Sequence, residues 1–363
     1  EPPGDFVKVR VRIDEGSKIH DGWMKKDDIQ PNPVLEVTFV DIGQGDGCLI
    51  VMPDNGKPDI QRRAVVIDAG EKDNMMSYLK YRFMYPTASR PRELHAGIIS
   101  HPDKDHYAGF KSIFKQPGLS FKTLYHNGLV ERKGEMALGP VTKTNPPLIT
   151  DLIKSKAQLR KLLDKDAVLP GRKNYPDMLR DALEEEKFGT FRMLCHDDGY
   201  MPGFGPGDEV EIQVLGPVVE KVNGGIAGLR DFGSTGLTKN GHSVVLRLTY
   251  GGVRMLLGGD LNIPAEKLLL HSIMGKPVPE KPSALPAYIQ KARKKLEVDI
   301  AKSCHHGSAD FSSLFLSAVN PIVTVISSGD DEPQTHPRAE TLGANGVNYR
   351  GERPLIFSTQ LER

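Results

Sequence analysis

The stretch "SHPDKDHYAGF" (residues 100–110) sets His101, Asp103, Asp105 and His106 within six positions, directly after the apolar run "HAGIIS". Imidazole nitrogens and carboxylate oxygens are the ligands that zinc and manganese take, so a cluster of this kind can be half of a metal site. The plainer alternative is a polar loop after a strand, with Asp105 capping the helix that follows. The choice depends on whether other parts of the chain supply the remaining ligands.

Three further apolar runs end in the same chemistry: "VVIDAG" at Asp68, "RMLLGGDLN" at Asp260 and "AKSCHHGS" at His305 and His306. A fourth, "TVISSGDDEPQTHP", carries Ser327, Ser328 and His336. Tips of separate strands can converge along one rim of a sheet, and two divalent ions sharing a carboxylate need about this many donors. Taken singly the alternatives are ordinary. Asp260 can cap the helix through "PAEKLLL", and His336 before Pro337 can be a turn residue. The glycines of "DIGQGDG" lack the Lys-Ser/Thr of a phosphate-cradling loop and read as a tight turn that carries Asp41 and Asp46 toward the same rim.

The elements that must position these groups are short β-branched and apolar runs with helices between them. "LEVTFV", "CLIVMP", "RRAVVID", "HAGIIS", "EVEIQVLGP", "SVVLRLTY", "VRMLLGG", "VDIAKSC", "NPIVTVIS" and "RPLIFSTQL" read as strands, and "NMMSYLKYRFMY", "PAEKLLLHSIM", "AYIQKARKKLE" and "FSSLFLSAV" as helices. This pattern predicts an α/β layered fold. Residues 1–33 are expected to be an N-terminal extension and 34–363 one domain, interrupted by a helical and loop insertion at about 129–207. The start, "EPPGDFVKVRVRIDEG", has neither an initiator Met nor an apolar signal core, and is expected to belong to a longer product.

Bulk composition excludes more than it identifies. The 48 basic and 47 acidic residues nearly cancel, so any polyanion must be met by a local patch. The three cysteines, Cys48, Cys195 and Cys304, show no CxxC spacing, which argues against a disulfide framework and fits a reducing, cytoplasmic setting. No apolar run approaches the length of a membrane span.

In order, "VTFVDIGQGDGCLIVMP", "VVIDAG", "SHPDKDHYAGF", "SVVLRL", "RMLLGGDLN", "CHHGS" and "VISSGDDEPQTHP" make the chain resemble the metallo-β-lactamase fold superfamily over roughly residues 35–345. Within it, the series is most similar to the hydrolase domain of ComEC, the bacterial competence protein of DNA uptake. The resemblance implies an αββα metallo-β-lactamase-like sandwich that holds two divalent ions, Zn2+ or Mn2+. It implies that His101 and Asp103 hold the first ion, Asp105 and His106 the second, and that Asp260 bridges them. A histidine of "HHGS" completes the second site: His305 is preferred and His306 is the alternative. Asp68 stands behind a ligand imidazole and orients it. Asp103 replaces the second histidine of the usual superfamily motif, which hardens the first site toward manganese. That branch has no clear third histidine for the first ion, and His126 is the candidate here.

The function expected on this basis is metal-dependent hydrolysis of phosphate esters by a phosphodiesterase or nuclease acting on nucleic acid. Asp105, Asp260, His306 and His336 are the catalytic candidates, the last two as proton donors to the departing oxygen. Lys291, Arg293, Lys294 and Lys295 in "QKARKKLE" are the candidate contact to a phosphate backbone, set against the plainer reading of a solvated helix face. Two alternatives remain. One keeps the site and changes the substrate to a small phosphodiester of the choline-phosphate-ester type. The other is a metal-stabilised, non-catalytic module of a larger defence or uptake protein or of a multi-protein system.

Overall fold

The computed structural model describes residues 4–12, 19–28, 33–164, 174–222, 225–329 and 335–360. A two-stranded hairpin, β1 (Phe6–Arg12) and β2 (Ile19–Lys25), precedes the layered body. The first large sheet has the order β3 (Glu36–Phe39), β4 (Gly47–Val51), β5 (Ala64–Ala69), β6 (Arg92–Ile99), β7 (Leu119–His126) and β9 (Phe188–Met193). β3, β4 and β5 pair antiparallel, and β5 through β9 pair parallel. A small sheet joins β8 (Leu148–Ile149), β11 (Glu220–Val222) and β12 (Ile226–Arg230). The second large sheet runs β10 (Val210–Gly216), β13 (Val245–Tyr250), β14 (Val253–Leu257), β15 (Ile300–Lys302), β16 (Val323–Ile326) and β17 (Leu355–Ser358), with β14 through β17 parallel.

Ten helices are assigned among the described residues: α1 (Asn74–Arg82), α2 (Lys104–Tyr107), α3 (Phe110–Lys115), α4 (Lys156–Leu163), α5 (Tyr175–Glu184), α6 (Thr235–Gly241), α7 (Ile263–Met274), α8 (Leu285–Leu296), α9 (Ser313–Val319) and α10 (Ala339–Val347). β4 and β5 are buried at every position, as strands covered on both faces must be. One set of their side chains, including Cys48, Ile50, Val65 and Ile67, meets Ile212, Val214, Leu246 and Leu257 of the second sheet. The alternate set, including Leu49, Val51 and Val66, meets Leu79 of α1, Phe110 and Phe114 of α3, and Leu179 of α5. On the other side, Val245, Leu256 and Ala301 pack against Leu269 of α7, Ala292 and Leu296 of α8, and Phe315 of α9. The result is helix on sheet on sheet on helix, the αββα sandwich that the resemblance implies.

The span 129–207 is built into this body. β9 extends the first sheet beside β7, and α4 and α5 bury Leu159, Leu162, Met178 and Leu179 in the first sheet's outer core. Ser155 and Asn174 start the two helices by accepting from the backbone of Gln158 and Asp177.

Candidate metal centre

The parallel strands of both sheets deliver their C-terminal ends to one rim. Asp68 closes β5, residues 100–106 follow β6, Asp260 follows β14, and His305 and His306 follow β15. The β3–β4 turn adds Gln44 and Asp46, and the end of α6 adds Lys239 and Asn240. Asp103 occupies the N-cap position of α2, but neither it nor Asp105 caps the helix with its side chain. Both carboxylates face the rim instead.

Asp260 Oδ2 is the common point. It lies 3.2 Å from His106 Nε2, 3.1 Å from His306 Nε2, 3.9 Å from His305 Nε2 and 4.0 Å from His101 Nε2. The donors fall into two groups around it. In one, His101 Nε2 faces Asp103 Oδ2 at 3.5 Å, and His305 Nε2 completes it at 3.9 Å from Asp260 Oδ2. In the other, His306 Nε2 stands 3.3 Å from Asp105 Oδ2 and 3.2 Å from His106 Nε2, and His106 Nε2 stands 3.9 Å from Asp105 Oδ1. Ligand atoms of Asp46, His106, Asp260 and His306 all lie within 4.8 Å of one another.

Carboxylates orient the imidazoles of the second group. Asp68 Oδ2 meets His106 Nδ1 at 2.9 Å, while its Oδ1 accepts from the Ser100 N–H at 2.7 Å. Asp46 Oδ1 stands 3.1 Å from His306 Nδ1, which also faces the Ser327 carbonyl at 3.1 Å. Fixing the rear nitrogen of each ring leaves its Nε2 free to bind at the front. The Asp46 carboxylate is itself paired with the buried Lys302 ammonium, which donates to the Gly259 carbonyl as well.

The donor set fits divalent cations. His101 is fully buried; among the described residues neither its Nε2 nor the buried Asp260 Oδ1 has a hydrogen-bond partner. Such atoms need a partner to offset their desolvation. Burial disfavours protonation of His106 and of His306, yet the surrounding carboxylates, Asp260 foremost, outweigh it and hold both rings well above the ordinary imidazole value. Burial likewise opposes charge on Asp260, but His106 and His306 hold its carboxyl well below the ordinary range. A field this negative favours a cation among the rings. Burial works against ionisation of Asp103 too, but His101 and Lys239 bring its pKa down to about 2.

The structure relocates several expected residues. His306, rather than His305, joins Asp105 and His106. An extended strand would send adjacent side chains apart, but here both histidines take left-handed backbone angles (φ 48° and 53°), and the turn brings both rings to Asp260. His126 is not brought to the rim. Its Nε2 donates to the Ile153 carbonyl at 2.8 Å and its Nδ1 accepts from the Gly128 N–H at 3.3 Å, so both nitrogens are spent on backbone. Burial lowers its pKa to about 3. His336 does reach the mouth of the site, its ring centroid 5.8 Å from that of His305. Burial, with His306 and His305 nearby, lowers its pKa to about 4, which disfavours the charged form that the expected proton donor would use.

The basic run is remote. Lys291, Arg293, Lys294 and Lys295 occupy the second half of α8, which leads into the start of β15, whereas the donors follow that strand's end. Arg293 Nε donates to the Ser317 carbonyl, Lys295 Nζ to the Ile273 carbonyl, and the Lys295 carbonyl accepts from Arg247. At about 3.3 Å per residue, the five residues of β14 alone put roughly 15 Å between the two rims.

The sequence carried Asp46 toward the rim without a ligand to hold, and marked out none of Lys302, Lys239, Asn240, Gln44 or Ser243. A lysine inside the apolar strand "VDIAKSC" is itself a signal, since a buried ammonium must have a carboxylate partner. Gln44 Nε2 donates to Asp105 Oδ2 at 3.0 Å, and Ser243 Oγ faces His101 Nδ1 at 3.3 Å. Neither residue stands in a pattern that marks it out.

The metallo-beta-lactamase superfamily model matches residues 59–307. Similar solved structures include Tm1679, described as a metal-dependent hydrolase of the beta-lactamase superfamily, at 11% identity and TM-score 0.40, covering 89% of this chain and 94% of that one. Zn(2+)-bound PqqB from Methylobacterium extorquens is 11% identical with TM-score 0.37, covering 85% and 84% of the two chains. A motif variant of a metallo-beta-lactamase from Cronobacter sakazakii is 14% identical with TM-score 0.31, covering 73% and 75%. No curated protein sequence matches the chain.

Proposed function

The chain belongs to the metallo-beta-lactamase superfamily, and from that membership and the buried His/Asp centre we propose a two-metal hydrolase of phosphodiesters. The observation that supports it most directly is Asp260 Oδ2, shared between His101, Asp103 and His305 on one side and Asp105, His106 and His306 on the other. Divalent ions held by these two groups would supply Lewis acidity, to lower the pKa of water and offset charge on a phosphate oxygen.

The protein's own contribution is orientation. Asp68 and Asp46 hold the rings of His106 and His306 from behind. Gln44 steadies Asp105 by donating to its Oδ2. His336, whose burial favours the uncharged ring and whose buried Nδ1 has no hydrogen-bond partner among the described residues, is placed to accept a hydrogen bond from the substrate or from the attacking water.

Nucleic acid is the substrate class that the resemblance to the ComEC-like branch implies. A second reading, a small phosphodiester, is favoured by one observation: the basic run 291–295 lies at the rim opposite the donors. Elemental analysis, followed by salt-titrated assays on single-stranded DNA, double-stranded DNA, RNA and a small chromogenic phosphodiester, separates the two. Chelator-sensitive cleavage of a polynucleotide that falls steeply with salt supports the nuclease. Salt-insensitive cleavage of the chromogenic ester alone supports the small substrate. A metal-loaded protein inert toward all four, or an Asp105→Asn variant as active as the parent, would remove the proposal.

A further inference from the structure

The two groups of donors around Asp260 are not electrostatically equal. Behind the rings of the second group stand the carboxylates Asp68 and Asp46. Behind His101, among the described residues, stand hydroxyls: its Nδ1 faces Ser100 Oγ at 3.1 Å and Ser243 Oγ at 3.3 Å. His305 Nδ1 has no partner among the described residues.

The carboxylate ligand of the first group is also already engaged. Lys239 makes an ion pair with Asp103 Oδ1, and its Nζ lies 3.0 Å from Glu131 Oε1. The neighbouring Asn240, with its amide nitrogen turned toward acceptors, donates to Asp103 Oδ2 at 2.8 Å. Two successive residues at the end of α6 therefore occupy both oxygens of Asp103. The ammonium sits on the ligand itself, where it withdraws charge and blocks bidentate binding. Lys302, the other lysine of the rim, is buried and differently placed. Its partner is Asp46, whose Oδ1 stands behind the His306 ring, and the Asp260 Oδ1 that it approaches at 3.8 Å belongs to the residue both groups share.

Resting on the two-metal reading above, we propose that Lys239 makes the His101–Asp103–His305 position the weaker of the two, so that it fills second. Glu131, from the segment between β7 and β8, moderates the effect by sharing the lysine's charge. Coulomb repulsion between an ammonium and a dication a few ångströms apart, in a partly buried site, is large enough to separate two binding steps.

The test is titration of the metal-free protein with Mn2+, and separately with Zn2+, under chelator competition, with thermal melting of each metal-free variant as the folding control. The parent binds one ion tightly and a second at least tenfold more weakly. Lys239→Met tightens the weak step tenfold or more and leaves the tight step within threefold. Glu131→Gln moves the weak step the other way, and this second variant keeps the test open if Lys239→Met misfolds. Two bound ions with a weak step unchanged in both variants overturn the assignment to Lys239 while the two-metal reading stands. A parent that binds no ion overturns both.

Discussion

The Nε2 atoms of His106 and His306 lie 3.2 Å apart although 200 residues separate them in the chain. Each ring is held from behind by a different carboxylate, Asp68 for His106 and Asp46 for His306. Two imidazoles whose free nitrogens meet face to face next to Asp260 are arranged for something between them.

Asp68→Asn and Asp46→Asn should each weaken metal binding at the His106–His306 position by roughly 10–100-fold, the usual cost of removing a carboxylate behind a ligand imidazole. Chelator competition measures it. Parent-like affinity in Asp46→Asn would mean that the Ser327 carbonyl alone suffices to orient His306.

His126→Leu should retain the full metal complement while losing about 1–3 kcal/mol of stability, because it strips partners from two buried backbone groups. Denaturant melts and metal analysis on the same preparation decide the matter. A halved metal content would restore His126 as a ligand.

Gly45 sits at φ 109°, and a Cβ there would come within 1.8 Å of the Asp105 carbonyl oxygen. Gly45→Ala should therefore displace the backbone of a ligand residue, lowering both metal content and melting temperature, with a backbone cost of about 1–3 kcal/mol. Unchanged metal stoichiometry in a folded Gly45→Ala protein would contradict the tight packing of this turn on the site.

Glu266 of α7 is fully buried, and burial raises its carboxyl well above the ordinary value of 4.5; Ser312 N–H on Oε2 only partly offsets this. The folded state therefore keeps the proton over a range where the unfolded chain has lost it. Its stabilising contribution is complete below about pH 4.5 and is lost as pH rises through the folded value. Glu266→Gln should flatten that loss, becoming more stable than the parent at pH 8 relative to pH 5. Parallel stability–pH curves for the two proteins would show that Glu266 is ionised in the fold.

Lys291→Gln with Lys294→Gln should leave the rate and the salt dependence of hydrolysis unchanged for every substrate, since α8 presents both to solvent away from the rim. A salt slope reduced by one or two units would place a polyanion across that helix after all.

The strands, their layering and the acid–imidazole character of their tips follow from local pattern. Runs such as "AVVIDAG" and "HAGIIS" declare apolar strands, and a ligand-type residue at each end is visible without coordinates. Membership of one rim followed from the order of those motifs. Which histidine of the 305–306 pair meets Asp105 did not, because it depends on two successive left-handed residues that turn the chain where an extended strand would have split the rings. The sequence offered His126 as a ligand, whereas its nitrogens are consumed by backbone groups at Gly128 and Ile153, and it was silent on Lys239, which finds Asp103 only because α6 ends beside it. Residue types carry chemical capacity. Pairing between distant charges is set by how helices and turns close over the rim, and only the folded chain decides that.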